Sequence, residues 1–223
     1  MYRGIKRGLD AFFAGLAVVI LTPFMLPVML ALRLTGEGEV FYKQNRIGFR
    51  NQTFGIWKFA TMLKDSPNLG TGSLTVRNDP RVTPVGRVLR ATKINELPQL
   101  LNVLNGSMSF VGPRPQMLVD FDVYPHEVRE VITNVPPGIT GIGSIVFRDE
   151  ERLLSKPGVD ANEFYAQQIA PYKGELERWY LEHVSFWTDL RIVVLTAWVI
   201  PFPRSRAAWR TFRTLPPRPA WLD

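Results

Sequence analysis

The chain has no cysteine and only two histidines, His126 and His183. The first absence removes disulfide scaffolds, thiolate zinc sites and cysteine nucleophiles together. The second removes multi-histidine metal sites, and a Ser-His-Asp triad would have to recruit one of two scattered histidines outside any nucleophile context. Zinc-finger and RNP-type signatures, internal repeats and low-complexity linkers are also missing, so no nucleic acid is expected as a partner despite a net charge of +7. What remains for chemistry is carboxylates, arginine and lysine, together with a hard metal that prefers oxygen. At 223 residues the chain is long enough for one domain with a real core, with or without a membrane element.

Charge is missing from residues 11–32, an almost wholly apolar run of 22 residues. At about 1.5 Å per residue, such a run just crosses a hydrocarbon core of roughly 30 Å. It is too long for a signal-peptide core, and no small-x-small cleavage site follows it. Pro23 and Pro27 would strand the carbonyls of Val19 and Pro23 in mid-lipid, with the Thr22 hydroxyl on hand for one of them. Arg3, Lys6 and Arg7 precede the run, and Arg33, Lys43, Arg46 and Arg50 follow it, so loop charge sets no orientation for a span. A helix broken at Thr22-Pro23 that enters and leaves through one face satisfies both flanks better than a crossing. At the other end of the chain, Arg204, Arg206, Arg210, Arg213 and Arg218 alternate with Trp209, Phe212 and Trp221, a mixture suited to a membrane interface.

After Gly36-Glu37-Gly38, residues 40–44 and 54–59 read as short strands of a hairpin, with Gly48 and Arg50-Asn51-Gln52 as turn chemistry. Lys43, Arg46, Arg50 and Lys58 on this hairpin form either a solvated face or the lining of an anionic pocket. Residues 65–77 are rich in Ser, Asn, Gly and Thr and read as a mobile loop, a candidate lid. In the last third, Asp160 with Glu163 resembles a capping box, residues 172–199 are mostly helix-compatible, and residues 193–200 are apolar but too short to cross a bilayer.

The densest stretch is residues 90–115. Leu97, Leu100, Leu101 and Leu104 fall at i, i+3, i+4 and i+7 on one helix face, and Gly106 sits where that helix would end. Pro98 is tolerated only in a first turn, which makes Asn95 the expected N-cap and Glu96 the first helical residue. Arg77, Arg81, Arg87, Arg90 and Lys93 lead into that helix start, an arrangement suited to phosphate. Gly112-Pro113-Arg114-Pro115 then holds Arg114 between two prolines, which either pre-aims its guanidinium, with a cis peptide left open, or makes a rigid corner.

Several separated segments together resemble the bacterial sugar transferases of the monotopic phosphoglycosyl transferase type. They are Thr22-Pro23, FYKQNRIG at 41–48, KFATM at 58–62, the long run at 78–115, PPGITG at 136–141 and HVSFWTDLRIVVLT at 183–196. The resemblance implies an α+β, mainly helical, monotopic membrane protein with an N-terminal Pro-broken re-entrant helix hairpin, a small β-hairpin and interfacial helices. Residues 1–35 would be the membrane element, 36–200 a catalytic domain on the cytoplasmic face of the bacterial inner membrane, and 201–223 a basic aromatic tail. The implied reaction moves a phosphosugar from a UDP-sugar to a polyprenyl (undecaprenyl) phosphate with Mg²⁺, releasing UMP at the start of exopolysaccharide, O-antigen or glycoconjugate assembly. The implied partners are UDP-sugar, polyprenyl phosphate and membrane lipids, and self-association into a homo-oligomer is left open.

By the same resemblance, Glu96 and Asn95 are the catalytic and Mg²⁺-binding candidates, and Arg81, Arg90, Arg114 and Lys58 the phosphate or substrate binders. The family uses a neighbouring Asp and Glu, the Asp as nucleophile, whereas this chain reads Asn95-Glu96. An amide is a poor nucleophile and a weak Mg²⁺ ligand. Three expectations follow: Glu96 takes over, the acceptor phosphate attacks directly, or the protein is a non-catalytic relative that binds polyprenyl phosphate or a partner glycosyltransferase. Ala60, Ser107 and Gly143-Ser144 are milder departures, where the family often has Arg, Asp and Trp-Gln.

Overall fold

The computed structural model describes residues 2–69 and 74–222. The apolar run lies in one long helix, α1 (Tyr2–Leu34), followed by strands β1 (Phe41–Ile47) and β2 (Thr53–Phe59). Next come α2 (Pro84–Ala91), a 3-10 turn over Ile94–Gln99, α3 (Leu100–Leu104), β3 (Ser109–Val111), α4 (Leu118–Phe121) and α5 (His126–Ile132). Strand β4 (Gly138–Thr140) leads into α6 (Ile142–Val146), α7 (Glu150–Leu154) and α8 (Ala161–Phe164). The chain ends with α9 (Ala170–Glu182), α10 (Phe186–Val199) and α11 (Ala207–Thr211).

The hairpin forms as its β-formers and turn residues predict. β1 and β2 are antiparallel with Tyr42 opposite Lys58 and Asn45 opposite Gly55, and Arg50 and Asn51 take the positive φ the turn needs. β3 and β4 form a second, parallel pair, Ser109 with Gly138 and Val111 with Thr140. The Asp160 carboxylate caps α8 by accepting from Asn162 N and Glu163 N, both at 2.9 Å. The expected lid, 65–77, contains a 3-10 turn at Ser66–Asn68, and its residues 70–73 lie outside the described residues.

One core, centred on Ile142, Ile169, Leu176, Tyr180 and Ile192, joins α5, α6, α9 and α10, and the C-terminal Phe212, Leu215 and Leu222 are buried in it. Trp221 stacks on Phe147. Two smaller clusters tie α1 to the body: Ala14 with Ile56, Leu100, Val103 and Met108, and Leu32 with Phe59 and Leu89.

α1 stays helical through Pro23 and Pro27 and does not divide into two helices at Thr22-Pro23, and the Thr22 hydroxyl donates to the Val18 carbonyl at 2.6 Å rather than to that of Val19. Each proline removes one hydrogen bond, while the turns on either side keep theirs, so helix propagation outlasts the local loss. Among the described residues α1 contains the one helix long and apolar enough to cross a membrane.

Both halves of α1 are nonetheless fixed to the same body. Arg7 donates to the carbonyls of Val103 and Leu104 at 2.5 and 2.7 Å, and Asp10 accepts from Ser109 Oγ at 2.7 Å. Lys6 and Tyr2 bind Asp189 of α10. Toward the other end, Leu32 is buried against Phe59 and Leu89. The opposite stripe, including Phe12, Val19, Phe24 and Leu30, is bare, and Trp187, Val194 and Trp198 extend it along α10.

Asp10 is a buried carboxylate at the α1–β3 junction. Asp10→Ala leaves Ser109 Oγ without this partner and is expected to cost about 1–3 kcal/mol. Thermal unfolding in detergent should show a midpoint lowered by roughly 3–10 °C, and an unchanged midpoint would contradict this anchor.

Candidate active site

The helical stretch expected to start at Asn95 starts at Ile94 as a 3-10 turn and becomes α-helical at Leu100, so Asn95 lies inside it, and the helix before it has its own cap. Thr83 caps α2, its hydroxyl accepting from Gly86 N at 3.0 Å with Pro84 in the first turn. Lys93 then adopts the left-handed conformation (φ 63°), turning the chain into the 3-10 segment, in which Glu96 N donates to Lys93 O at 3.1 Å. Asn95 therefore caps nothing. Its side-chain Oδ1 is buried without a hydrogen-bond partner, and Pro98 is accommodated because 3-10 bonding is short and ends one residue later.

The left-handed turn presents Lys93 to Glu96. Lys93 Nζ lies 3.3 Å from Glu96 Oε1, and Arg114 Nη2 donates to the same oxygen at 3.1 Å. Arg114 is aimed by its backbone. Gly112 N donates to Thr140 O, and Gly138 N donates to Pro113 O at 2.9 Å. A Cβ on Gly112 would lie 2.6 Å from the Pro136 carbonyl, so only glycine permits this approach. All described peptide bonds here are trans.

Lys58 arrives from β2. Asn102 on α3 holds that strand, accepting from Trp57 N and donating to Gly55 O, both at 2.9 Å. Burial, then Arg46 and Arg114, push the Lys58 ammonium well below its usual range. Burial raises the Glu96 carboxyl, but Lys93, Arg114 and Lys58 outweigh it and hold the group far below ordinary carboxylates. A buried anion thus sits among more positive charge than it neutralises.

These residues line a cavity of about 1090 Å³ that extends to Ala17, Leu21 and Leu32 on the inner face of α1. Arg90 lies at the same cavity, paired with Glu151 at 3.0 Å. Arg81 also borders it, but its guanidinium is committed to Asp79 and to the carbonyls of Ser66, Leu69 and Leu74. The structure therefore brings Lys58, Glu96 and Arg114 together beside Asn95, sets Arg90 at their edge and uses Arg81 to hold the loop.

The bacterial sugar transferase family matches residues 1–202 of this chain. The protein belongs to that family. It is 37% identical over 195 residues to the UDP-glucose:undecaprenyl-phosphate glucose-1-phosphate transferase of Caulobacter vibrioides, covering 86% of this chain and 67% of that protein. It is 34% identical over 203 residues to the UDP-N-acetylgalactosamine-undecaprenyl-phosphate N-acetylgalactosaminephosphotransferase of Aeromonas hydrophila, covering 88% of this chain but 43% of the relative. The exopolysaccharide production protein ExoY of Sinorhizobium fredii is 36% identical over 171 residues, 70% of this chain and 75% of its own. The chain thus spans two thirds or less of the first two. Their names carry different sugars at nearly equal identity.

Sequence reasoning missed a second group in this member of the family. Lys173 Nζ binds Glu150 Oε2 at 2.6 Å and lies over the rings of Phe147 and Tyr165. One turn along α9, Glu177 is buried, with its Oε2 unpartnered. Burial pushes the Glu177 carboxyl up to about 8, against the pull of the Arg114 backbone N–H and of Lys173. On a helix with acids and bases at every turn, the one signal was the i, i+4 spacing of Lys173 and Glu177, which surface helices also show.

The sign of the Glu177 effect is testable. A carboxyl that ordinarily titrates near 4.5 but here near 8 contributes full stability below pH 4.5 and loses it as pH rises through 8. Glu177→Gln keeps an acceptor for the backbone N–H and carries no charge. It is expected to raise the unfolding midpoint by roughly 3–8 °C at pH 9 and to give no gain at pH 4.5. A gain of equal size at both pH values would show that charge is not the cause.

Proposed function

We propose that this protein transfers a sugar 1-phosphate from a UDP-sugar to undecaprenyl phosphate, yielding the polyprenyl diphosphate sugar and UMP, and so initiates exopolysaccharide or glycoconjugate assembly. The carrying observation is that Lys93 and Arg114 both bind the one carboxylate of Glu96, with Lys58 lining the same cavity, which reaches the inner face of the apolar helix. Two cations on one carboxylate leave a surplus of positive charge matched to a diphosphate.

Neither candidate nucleophile in the protein is a good one. Asn95 has no nucleophilic oxygen, and Glu96 is pinned by Lys93 and Arg114 and held at very low basicity. The acceptor phosphate oxygen therefore attacks the sugar-bearing phosphorus directly. As that bond forms, the bond from this phosphorus to the bridging oxygen breaks, and UMP leaves with the electron pair. Lys58 and Arg114 neutralise the charge shared among the phosphate oxygens.

The donor set accommodates Mg²⁺, which commonly takes one or two carboxylates plus substrate phosphates. Asn95 Oδ1 is an unpartnered buried oxygen beside Glu96, so these two residues would hold the ion. Bound there, it would shield the diphosphate charge during transfer. With one amide and one carboxylate, the protein alone holds it weakly.

The membrane element is 1–35, entering and leaving through the cytoplasmic face of the inner membrane, with 36–200 as the catalytic body and 201–223 as its tail. Support comes from the anchoring of α1 to one body by both Arg7 and Leu32 while its outer stripe is bare. A helix crossing a core of roughly 30 Å would carry one end away from that body. Single cysteines at Gly4 and Glu37 should both react with a membrane-impermeant reagent only from the cytoplasmic side, and labelling from opposite sides would defeat this topology.

The activity is tested by incubating full-length protein in detergent with a panel of UDP-sugars, undecaprenyl phosphate and Mg²⁺. UMP release is expected, and Lys58→Met, Glu96→Gln and Arg114→Met should each lower kcat/KM by about 10²–10³. No UMP from any sugar would favour the non-catalytic reading, for which Asn95 is the specific observation. UMP release should require the lipid acceptor. Release without it, with a phosphosugar adduct in the intact-protein mass, would overturn direct transfer.

A further inference from the structure

Among the described residues, the buried side-chain atoms without a hydrogen-bond partner are concentrated in one place. Asn95 Oδ1, Ser144 Oγ, Arg148 Nε and Glu177 Oε2 all belong to residues lining the active-site cavity. Each such atom costs stability unless something pairs with it, so unpartnered groups in residues that line one cavity are candidates to reorient onto a polar ligand. Asn95 belongs with Glu96. Ser144 and Glu177 mark a different wall, on α6 and α9.

That wall has its own chemistry. It offers a hydroxyl and a carboxyl, where the wall around Glu96 offers ammonium and guanidinium groups. Gly143 contributes no side chain, and a Cβ there would stand 2.5 Å from Glu177 Oε1, so the glycine lets the carboxyl come up against α6. A carboxyl and a hydroxyl on the two packed helices, with the neighbouring Lys173 already paired with Glu150, make a poor phosphate site and a good match for the hydroxyls of a sugar.

The two walls line one cavity, in which the Arg114 side chain holds Glu96.

We propose that Ser144 and Glu177, with the space left by Gly143, form the subsite that recognises the hydroxyls of the transferred sugar. The proposal rests on the UDP-sugar reading above and deepens it. Because the overall likeness is nearly equal to relatives named for different sugars, a local subsite of this kind is where the choice would be made.

The experiment compares binding of UDP with that of UDP-glucose, UDP-galactose and their N-acetylated forms to full-length protein in detergent, by calorimetry. Wild type should bind at least one UDP-sugar more tightly than UDP. Ser144→Ala and Glu177→Gln should weaken that UDP-sugar about tenfold or more while leaving UDP within about twofold. Retained UDP binding also shows that each variant is folded, and the small Ser144→Ala change guards against a Glu177→Gln variant that fails to fold. Equal losses for UDP and UDP-sugar in Ser144→Ala would mean that the wall reads the nucleotide, and would overturn the subsite. Unchanged binding of both ligands in both variants would also overturn it. Wild type that binds UDP and every UDP-sugar equally would sink the subsite and leave the transferase reading standing, whereas wild type that binds none of them would sink that reading as well.

Discussion

A buried carboxylate needs positive partners, and the architecture around Glu96 follows from supplying them. Lys93, Arg114 and Lys58 come from three different segments: a left-handed turn, a proline-bracketed loop and a strand. Each delivery depends on a further support. Asn102 holds β2 in place, and the Gly112–Pro113 backbone is bound to the Gly138–Thr140 strand. The result overshoots neutrality. Burying more cations than anions costs stability, and a multivalent anion bound there would offset that cost. Substrate affinity and local strain in the charge balance are thus the same quantity seen from two sides.

The apolar helix and the charge cluster share one cavity, and this juxtaposition gives the site its direction. The inner face of α1 packs on the body while its outer face stays bare, continuous with the bare face of α10 through the contacts of Lys6 and Tyr2 with Asp189. An isoprenoid phosphate held in a bilayer would reach the cations from the helix side without its chain leaving the apolar phase. The nucleotide, which is soluble, would come from the opposite side.

Asn95 and Glu177 are complementary exceptions to the rule that buried polar groups are paired. One is a neutral amide beside the carboxylate, and the other a carboxyl whose apolar surroundings favour its protonated form. Each has a buried oxygen with no protein partner, in a residue that lines the cavity. On the proposed reading the first would meet the metal and phosphates and the second the sugar.

The sequence by itself determined the features that depend on neighbours in the chain. Alternating β-formers around Gly48 and Arg50-Asn51 make the hairpin, the charge-free run makes α1, and two prolines with a glycine stiffen the loop that carries Arg114. The extended resemblance likewise identified the family and drew attention to Glu96, Lys58 and Asn95. Tertiary structure decided what depends on distant partners. Asn95 caps no helix, because the left-handed turn at Lys93 starts a 3-10 segment that already contains it; Arg81 is spent on a loop; and α1 runs through its prolines with both ends on one body. Glu177 is the clearest case. Its place on α9 resembles a solvated helix face, and only the packing of α6 and the Arg114 backbone against it turns an ordinary acid into a buried one, because burial is a property of the three-dimensional surroundings and not of local spacing.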